Sequence, residues 1–404
     1  MGNPPGRFAK KFAPGVLSMK KGKGGWSMGP IRRFWDVCSD PVEYARQWKR
    51  STGGKVVAHT CSYAPVEILR ASGALSMRLF GKTEDFTFSD GHLQAYCCSL
   101  VRGILNEALA GNLDFLDGAV FPHTCDSMQR LSDIWRINTS FSLHGDLVLP
   151  VKLNTDTAKT YMVDVLKLFM QRTGEQLGVV ITGEDLEKAI QETNSTRKAL
   201  CDLAAMRERS PGAVSGSDMY VAACASMIMA PSEWLDTMNS LLAELGQAAP
   251  GPPAQRLKRI VLSGGICGNT QIYDVIEKNG GVVVHDDLCT GARYYEGLVA
   301  EGTGDPVGAI AERYRTRVVC PAKHAGIYSR GQELVKIAEE KQAGGVIFLL
   351  LKFCDPHAFD YPYLKRMLDD RGIPSLLLET EDPWSIGEHG TTRVEAFMEI
   401  VRQR

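Results

Sequence analysis

Cysteine placement is the feature that most constrains this chain. Six of its eleven cysteines fall at the ends of apolar, strand-like runs, three in each half of the 404-residue sequence. Because an open α/β sheet forms its active crevice beyond the carboxyl ends of its strands, thiols repeated at that edge converge in space. Converging thiolates favour soft metals, above all iron–sulfur clusters. The six residues are Cys61, Cys98, Cys125, Cys289, Cys320 and Cys354.

Composition and charge indicate a soluble globular protein of two or three domains. The net charge of −1 gives no global attraction to nucleic acid or to anionic lipid. No apolar run reaches the roughly 18 residues that a membrane-spanning helix needs. An odd number of cysteines without a secretory signal argues against a disulfide framework, so we expect a cytoplasmic protein with reduced or metal-bound thiols.

Composition and hydrophobic periodicity together divide the chain into four parts. We expect an extended basic arm at 1–30, an N-terminal α/β domain at 31–154, a helical insert and linker at 155–254, and a C-terminal α/β domain at 255–404. The alternation of strand-like and helix-like segments in both α/β parts predicts parallel sheets. No short internal repeat is visible, but the two α/β halves have the pattern of a duplicated architecture.

The predicted elements follow from the periodicity of apolar residues. Strands are predicted at 56–59, 76–80, 117–122, 259–263, 281–285, 316–319, 345–351 and 375–378. Helices are predicted at 65–71, 92–110, 183–208, 216–246, 270–279, 306–313, 331–342, 359–371 and 391–402. A further helix is predicted to begin after Asp156, which would cap it. Cys201 and Cys224 lie in two of the insert helices, where a free cysteine usually packs as a small hydrophobic residue.

Two further motifs concern nucleotides and protons. The glycine-rich segment 263–268 follows a strand but lacks the Gly-Lys-Ser/Thr of a nucleotide P-loop, so it predicts a tight strand-to-helix turn and no ATP site. Histidines close in sequence to the six cysteines are candidate proton donors, because imidazole titrates near neutral pH. They are His59, His123, His285, His324 and His357.

Cysteine spacing alone leaves the type of metal site open, because Cys-x-x-Cys pairs and ferredoxin or zinc-ribbon spacings are absent. The segments around the cysteines are more specific in combination. They are residues 59–73, 98–102, 121–127, 286–295 and 352–357. With these segments the chain, from about residue 50 to its end, resembles the cluster-bearing subunits of the 2-hydroxyacyl-CoA dehydratase and benzoyl-CoA reductase superfamily.

The resemblance implies two Rossmann-like (flavodoxin-like) domains with an iron–sulfur cluster between them. Single-cubane members use three cysteines, and the positions matching them are Cys98, Cys125 and Cys354. The double-cubane branch uses six, for which the further matches are Cys61, Cys289 and Cys320. Cys98 precedes Ser where the family often has Pro, and the adjacent Cys97 competes with it; the Ser-Leu-Val-Arg that follows favours Cys98.

The resemblance also implies a function. We expect a double-cubane [8Fe-9S] protein that takes low-potential electrons from a separate homodimeric [4Fe-4S] ATPase in a transient complex, and that reduces a small unsaturated substrate. One alternative is the [4Fe-4S] subunit of a 2-hydroxyacyl-CoA dehydratase or benzoyl-CoA-type reductase, and another is a non-catalytic electron carrier. We expect a homodimer with the insert, 155–247, as its interface, and His59, His123 and His357 as the foremost proton-donor candidates. The substrate, and whether CoA thioesters bind, stay open.

Overall fold

The structure is a computed structural model, and it describes residues 29–81, 85–210, 213–247, 257–268, 270–317, 320–323, 326, 328–381 and 385–403. Four predictions therefore fall partly or wholly outside the described residues. They are the basic arm apart from residues 29 and 30, the linker at 248–254, residues 318 and 319 of the predicted strand at 316–319, and His324.

The first sheet has four parallel strands in the order β2-β1-β3-β4. They are β1 Val56–His59, β2 Leu75–Arg78, β3 Gly118–Pro122 and β4 Leu143–Leu147. The first three were predicted, with small shifts at their ends. The last was not, because β4 is an edge strand whose His and Asp side chains alternate with buried residues and dilute the apolar signal.

The second sheet repeats this arrangement. Its strands are β5 Lys258–Gly264, β6 Gly281–Asp287, β7 Gly345–Leu351 and β8 Ser375–Thr380, all parallel, in the order β6-β5-β7-β8. In both sheets the first strand is central, the second lies on one side and the third on the other. The two halves therefore share one topology, as the sequence suggested, and each has a switch point where such sheets place their sites.

Helices surround both sheets. The described helices are α1 Pro30–Ser39, α2 Pro41–Thr52, α3 Val66–Ala71, α4 Ser99–Leu109, α5 Asp126–Asn138, α6 Asp156–Leu177, α7 Gly183–Arg209, α8 Gly216–Ser226, α9 Pro231–Gln247, α10 Gln271–Lys278, α11 Ala292–Tyr295, α12 Pro306–Thr316, α13 Ser329–Glu340, α14 Asp355–Asp369 and α15 Gly387–Gln403. None of those in the described part of the chain is both long enough and apolar enough to cross a bilayer.

Three helix predictions need correction. The predicted helix at 92–110 begins only at Ser99, because turns occupy the preceding residues. The predicted helix at 216–246 is two helices, since Pro231 opens α9 after a break. Helix α6 is capped by Thr155, whose hydroxyl accepts the N–H of Ala158 at 3.1 Å, and Asp156 is its first residue.

The predicted strand at 316–319 is wrong at its start, because helix α12 continues through Thr316. This helix packs against the N-terminal half: the Tyr314 hydroxyl donates to the carbonyl of Ala64 at 2.9 Å, and Tyr314 shares a core with Val57 of β1. A segment that the sequence assigns to the C-terminal domain therefore lies on the N-terminal sheet. Cys320 follows this segment.

Helices α6 to α9 connect the halves. Helix α7 packs against α3 of the first half and α11 of the second, and α8 packs against both α1 and α10. Helices α1 and α2, which the sequence did not predict, lie beside them, with Phe34 stacked on Trp234 at 5.7 Å between ring centroids. The helical insert thus serves as common core for both sheets.

Candidate metal centre

Four of the six predicted cysteines lie just beyond strand ends. Cys61 and Cys125 follow the neighbouring strands β1 and β3, and Cys289 and Cys354 follow β6 and β7 on either side of β5. The prediction of a strand end is wrong for Cys98, which follows a loop and immediately precedes α4. Cys320 comes after α12, which ends at Thr316, and residues 318 and 319 between them lie outside the described part of the chain. Tertiary packing, rather than strand termination, places Cys98.

Cys98, Cys125 and Cys354, which we call the helix triad, are the N-cap residues of α4, α5 and α14. Amide N–H groups of each first turn favour the thiolate there, without a capping hydrogen bond of normal geometry. Burial outweighs these amide groups. It raises the pKa of Cys98, raises that of Cys125 to about 12, and raises that of Cys354 well above the usual thiol value.

The six thiols form one electrostatic group. Beyond burial, the charges of Cys98, Cys125 and Cys289 raise the pKa of Cys354. Cys98 and Cys61 act in the same way on Cys125, and Cys289 and Cys61 act on Cys320. Every predicted ligand is therefore close enough to another for thiolate charges to repel. The fold brings all six together although they come from both halves of the chain.

This group does not have the geometry of a mononuclear site. Among the described residues, no set of three or more His, Cys, Asp or Glu side chains could hold a single metal ion. Thiolates that bind a multi-iron cluster stand farther apart, because the irons and sulfides lie between them. Buried, mutually repelling thiols from separate loops are the donor set that such a cluster fits.

Cys61, Cys289 and Cys320, which we call the cation triad, lie among four buried cations. An Arg293 guanidinium nitrogen is 3.8 Å from the Cys289 sulfur. The charges of Arg78 and Arg317 lower the pKa of Cys289, and the charge of Cys320 raises that of Arg317. The charges of Cys61 and Cys320 act in the same way on Lys323. The four cations are Arg78, Arg293, Arg317 and Lys323.

The cations outweigh burial at Cys289 but not at Cys320. Burial opposes the Cys289 thiolate, but Arg293 and Arg78 together outweigh it, so the pKa of Cys289 lies below its usual value. At Cys320, burial and repulsion by the other two thiols of the triad outweigh the attraction of Arg293 and raise the pKa. The surrounding cations therefore favour the thiolate form of Cys289.

Of the three foremost proton-donor candidates, two are held neutral. Burial lowers the pKa of His59 to about 3, and nearby Arg78 contributes to that lowering. Burial also lowers the pKa of His357 well below its usual value. His123 differs, because its Nε2 lies 2.9 Å from an oxygen of Asp146, and its side chain is partly exposed. Of the three, His123 is therefore the one with a carboxylate partner among the described residues.

Other sequence predictions fall elsewhere. Cys224 is buried, as predicted, but Cys201 is exposed, so its assignment to the core is wrong. It lines an open pocket of about 170 Å³ together with His285 and Glu296. His285 lies 3.8 Å from Glu296, a carboxylate in that pocket and not in the cysteine group. Cys97 is buried beside Cys98 and influences that thiol, whereas Cys98 itself influences Cys125 and Cys354, which favours Cys98 as the ligand.

The glycine-rich segment forms the tight turn that the sequence predicted. At Gly264 a Cβ would collide with the carbonyl of Leu349 on β7, so only glycine fits there. The Gly264 carbonyl accepts a hydrogen bond from Arg293, and the Gly265 carbonyl accepts one from the Cys289 N–H at 2.9 Å. The turn therefore holds the loop that carries Cys289.

Sequence reasoning missed the four cations. Arg293 lies within the recognised segment at 286–295, and Arg78 is the last residue of strand β2, in the apolar run 75–80. Arg317 and Lys323 flank Cys320 at three residues on either side. Two sequence signals could have indicated these cations: a basic residue within an apolar run, and a pair of basic residues on either side of a cysteine.

Comparison with known proteins gives a consistent result. The family described as 2-hydroxyglutaryl-CoA dehydratase, D-component, matches residues 61–401. The chain is 26% identical to the (R)-phenyllactyl-CoA dehydratase beta subunit of Clostridium sporogenes, over 91% of this chain and 97% of that one. It is 26% identical to one of the subunits of the benzoyl-CoA reductase of Thauera aromatica, over 82% of this chain and 86% of that subunit. It is 23% identical to the (R)-2-hydroxyglutaryl-CoA dehydratase beta subunit of Acidaminococcus fermentans, over 91% of this chain and 98% of that subunit.

Proposed function

Because the chain belongs to the 2-hydroxyacyl-CoA dehydratase and benzoyl-CoA reductase superfamily, we propose that it is a low-potential iron–sulfur oxidoreductase. Its six cysteines hold a double-cubane [8Fe-9S] cluster, with three thiolates for each cubane. Electrons come from a separate ATP-hydrolysing reductase, and the product is a reduced form of a small unsaturated substrate. The protein acts in the cytoplasm.

One observation carries this proposal: the six thiols form a single, largely buried group, and half of it is lined by cations. A three-thiol site would need only the helix triad. The chain instead supplies Cys61, Cys289 and Cys320 as well, and surrounds them with positive charge. When bound, such a cluster supplies electrons at strongly negative potential, tuned by charge and hydrogen bonds.

The chain's own residues would perform three tasks at this site. The helix triad and the cation triad hold the cluster from both sheets. Burial of the surrounding side chains limits the access of water, and Tyr63, which feels the charges of Cys61 and Cys320, is almost fully covered. His123, oriented by Asp146 at 2.9 Å, holds the proton that a substrate taking up an electron needs.

Iron analysis tests the cluster assignment directly. The chain, reconstituted anaerobically with iron and sulfide, should bind about eight irons, from six thiolates at three per cubane. Replacing the exposed Cys201 by Ser is the matched control and should leave the iron content unchanged. Saturation at about four irons, with the cation triad replaceable by Ser without loss, would instead assign the chain to the single-cubane type.

The electron source is tested by adding or omitting the partner. The glycine-rich segment at 263–268 lacks the lysine of a P-loop, so the isolated chain should neither hydrolyse ATP nor bind it tightly. Reduction should require a [4Fe-4S] ATPase and ATP, in a transient complex of small buried area. ATP hydrolysis by the isolated chain would contradict the proposal.

A second candidate is the cluster-bearing subunit of a CoA-thioester dehydratase or reductase. The lengths favour it, because this chain covers 97% and 98% of two relatives named as beta subunits. The tagged chain purified alone distinguishes the two functions. A stable homodimer supports the main proposal, whereas an obligate, related second subunit in equal amount supports the CoA-thioester enzyme.

The homodimer would use the outer side of the insert. Most apolar residues of helices α6 to α9 are covered within the chain, but Tyr161 and Leu168 of α6 remain exposed, as does Val180 in the loop between α6 and α7. Replacing Leu168 and Val180 by Glu should therefore convert the dimer to a monomer in light-scattering measurements. A dimer that survives both changes would place the interface elsewhere.

A further inference from the structure

Of the four cations around Cys61, Cys289 and Cys320, three have no carboxylate partner among the described residues. Arg78, Arg317 and Lys323 are at least nine-tenths buried, yet among the described residues no carboxylate lies within ion-pair distance of any of them. Burying a charge without a counter-charge costs several kcal/mol. These side chains therefore leave a large cost uncompensated in the cluster-free chain.

Their hydrogen bonds go to neutral groups. Arg78 donates to the carbonyl of Cys289 at 2.8 Å. Lys323 donates to the carbonyl of Leu149 at 2.9 Å. Arg317 donates to the carbonyl of Ser62 at 3.0 Å and lies 3.9 Å above the ring centroid of Tyr63. Carbonyls and ring faces orient a cation but do not neutralise it.

Arg293 is the member of the set that pairs with a carboxylate in the described part of the chain, and it shares that carboxylate. Asp287 lies 3.4 Å from Arg293 and 2.9 Å from Arg330, so one negative charge serves two guanidinium groups. Asp360, at 3.1 Å, gives Arg330 a second partner. Positive charge around the cation triad therefore exceeds the negative charge that described side chains supply.

The helix triad has the opposite surroundings. The leading charge influences on Cys98, Cys125 and Cys354 are other thiols and the carboxylate of Asp355, with no cation of the described residues among them. Only the partial charges of three helix N-termini favour negative charge there, and each is equivalent to about half an elementary charge. The full, desolvated charges of the cations around the cation triad stabilise negative charge more than these partial charges do.

We propose that Arg78, Arg293, Arg317 and Lys323 form a charge-compensating site for the anionic cluster, and that they make the half held by Cys61, Cys289 and Cys320 the half on which an added electron rests. This inference rests on the proposed function. One electron enters from the reductase or, in solution, from Ti(III) citrate, which becomes Ti(IV). No bond is broken. The four cations are positioning residues, because they act through the cluster and not on the substrate.

A redox titration with matched variants tests the inference. Arg317→Gln and Lys323→Met should each lower the ratio of reduced to oxidised cluster at a fixed Ti(III)/Ti(IV) ratio about tenfold, equivalent to about 59 mV for one electron. Arg317→Lys keeps the charge and should restore most of the ratio. Arg313→Gln is the control, because Arg313 is equally buried and bonded to carbonyls but has no cysteine among its leading charge neighbours.

A stability measurement gives a second reading that a purely structural role would not produce. Without cluster, Lys323→Met removes an uncompensated buried charge and should raise the melting temperature, by about 2 °C for a chain of this size. With cluster, the same change should lower it. A purely structural lysine would shift both forms in the same direction.

The outcomes separate the two proposals. If the wild-type chain binds an iron–sulfur cluster but the variants keep its redox ratio and its melting shifts do not change sign, the charge-compensation inference is wrong and the proposed function stands. If the wild-type chain binds no cluster, both are wrong. A tenfold shift in Arg313→Gln as large as that in Arg317→Gln would also overturn the inference.

Discussion

The helix triad and the cation triad provide the same chemical group by different physical means. Cys98, Cys125 and Cys354 each begin a helix, so their thiolates would be stabilised by amide dipoles that the secondary structure supplies. Cys289 is stabilised instead by buried Arg293 and Arg78, which come from different parts of the chain. The first device is local, whereas the second exists only after both halves of the fold have assembled.

The difference extends to where the residues come from. The helix triad takes two cysteines from the first half and Cys354 from the second. The cation triad takes Cys61 from the first half and Cys289 from the second, and Cys320 from a segment that crosses between them. Each triad spans both sheets. Neither half could therefore build a complete ligand set alone.

The largest expected effect is loss of iron on replacing single cysteines. Cys125→Ser and Cys354→Ser should each remove at least about half of the iron, because one cubane loses a ligand. Cys289→Ser should do the same if the cation triad is a ligand set. Iron and acid-labile sulfide per chain measure this loss. Full retention of iron in Cys289→Ser would show that the cation triad, unlike the helix triad, does not bind the cluster.

The next largest effect concerns the carboxylate near the cation triad. Asp287→Asn removes the negative charge shared by Arg293 and Arg330, and should lower the free energy of unfolding by about 3 kcal/mol or more. Urea unfolding of the cluster-free chain measures it. Asp355→Asn, near Cys125 but without an ion pair to any described side chain, is the matched change at the helix triad and should cost less than about 1 kcal/mol.

The position of Cys98 depends on a close backbone contact in the first half. A Cβ at Gly103 of α4 would meet the carbonyl of Gly81, so Gly103→Ala should force α4 outward and destabilise the chain by about 1–3 kcal/mol. Gly246→Ala, in α9 with open space around it, should instead stabilise by about 0.5–1 kcal/mol. Equal effects of the two changes in thermal unfolding would contradict this account of α4.

The smallest effect is dependent on pH. Hydrogen bonds from His144, Ser132 and His123 hold the pKa of Asp146 well below the ordinary 3.8, against the effect of burial. The stability that Asp146 contributes is therefore present above about pH 4 and is lost as the pH falls below that value. Because this carboxylate is partly exposed, Asp146→Asn should cost at most about 1 kcal/mol at pH 7 and less at pH 3. Unfolding at both pH values measures the difference.

Much of the fold followed from local sequence patterns. Seven of the eight described strands lie where apolar runs predicted them, and the alternation with helices predicted the parallel order. Strand β4 was not predicted, because an edge strand half exposed to solvent has a weak apolar signal. Helices α1 and α2 were not predicted, because no element was assigned to the residues before the first strand.

The cysteines themselves could be selected from the sequence, because thiols in turns after buried strands are unusual and their flanking segments resemble a known family. Their geometry could not. Cys98 was predicted to end a strand, yet it is the N-cap residue of a helix, and the helix that precedes Cys320 packs on the other half of the chain. Hydrophobic periodicity reports burial along one element, not which element of another domain covers it.

By itself, the sequence determined the two α/β halves, the family and the six cysteines, since each of these is written in local patterns of apolar residues, glycines and cysteines. The resemblance already separated the two sets of three cysteines, and only the tertiary structure decided that these sets have different surroundings, helix N-termini for one and buried cations for the other. The physical reason is that electrostatic compensation depends on distance and burial. Arg78 and Cys289 are far apart in the chain, but a single hydrogen bond of 2.8 Å connects them in the fold.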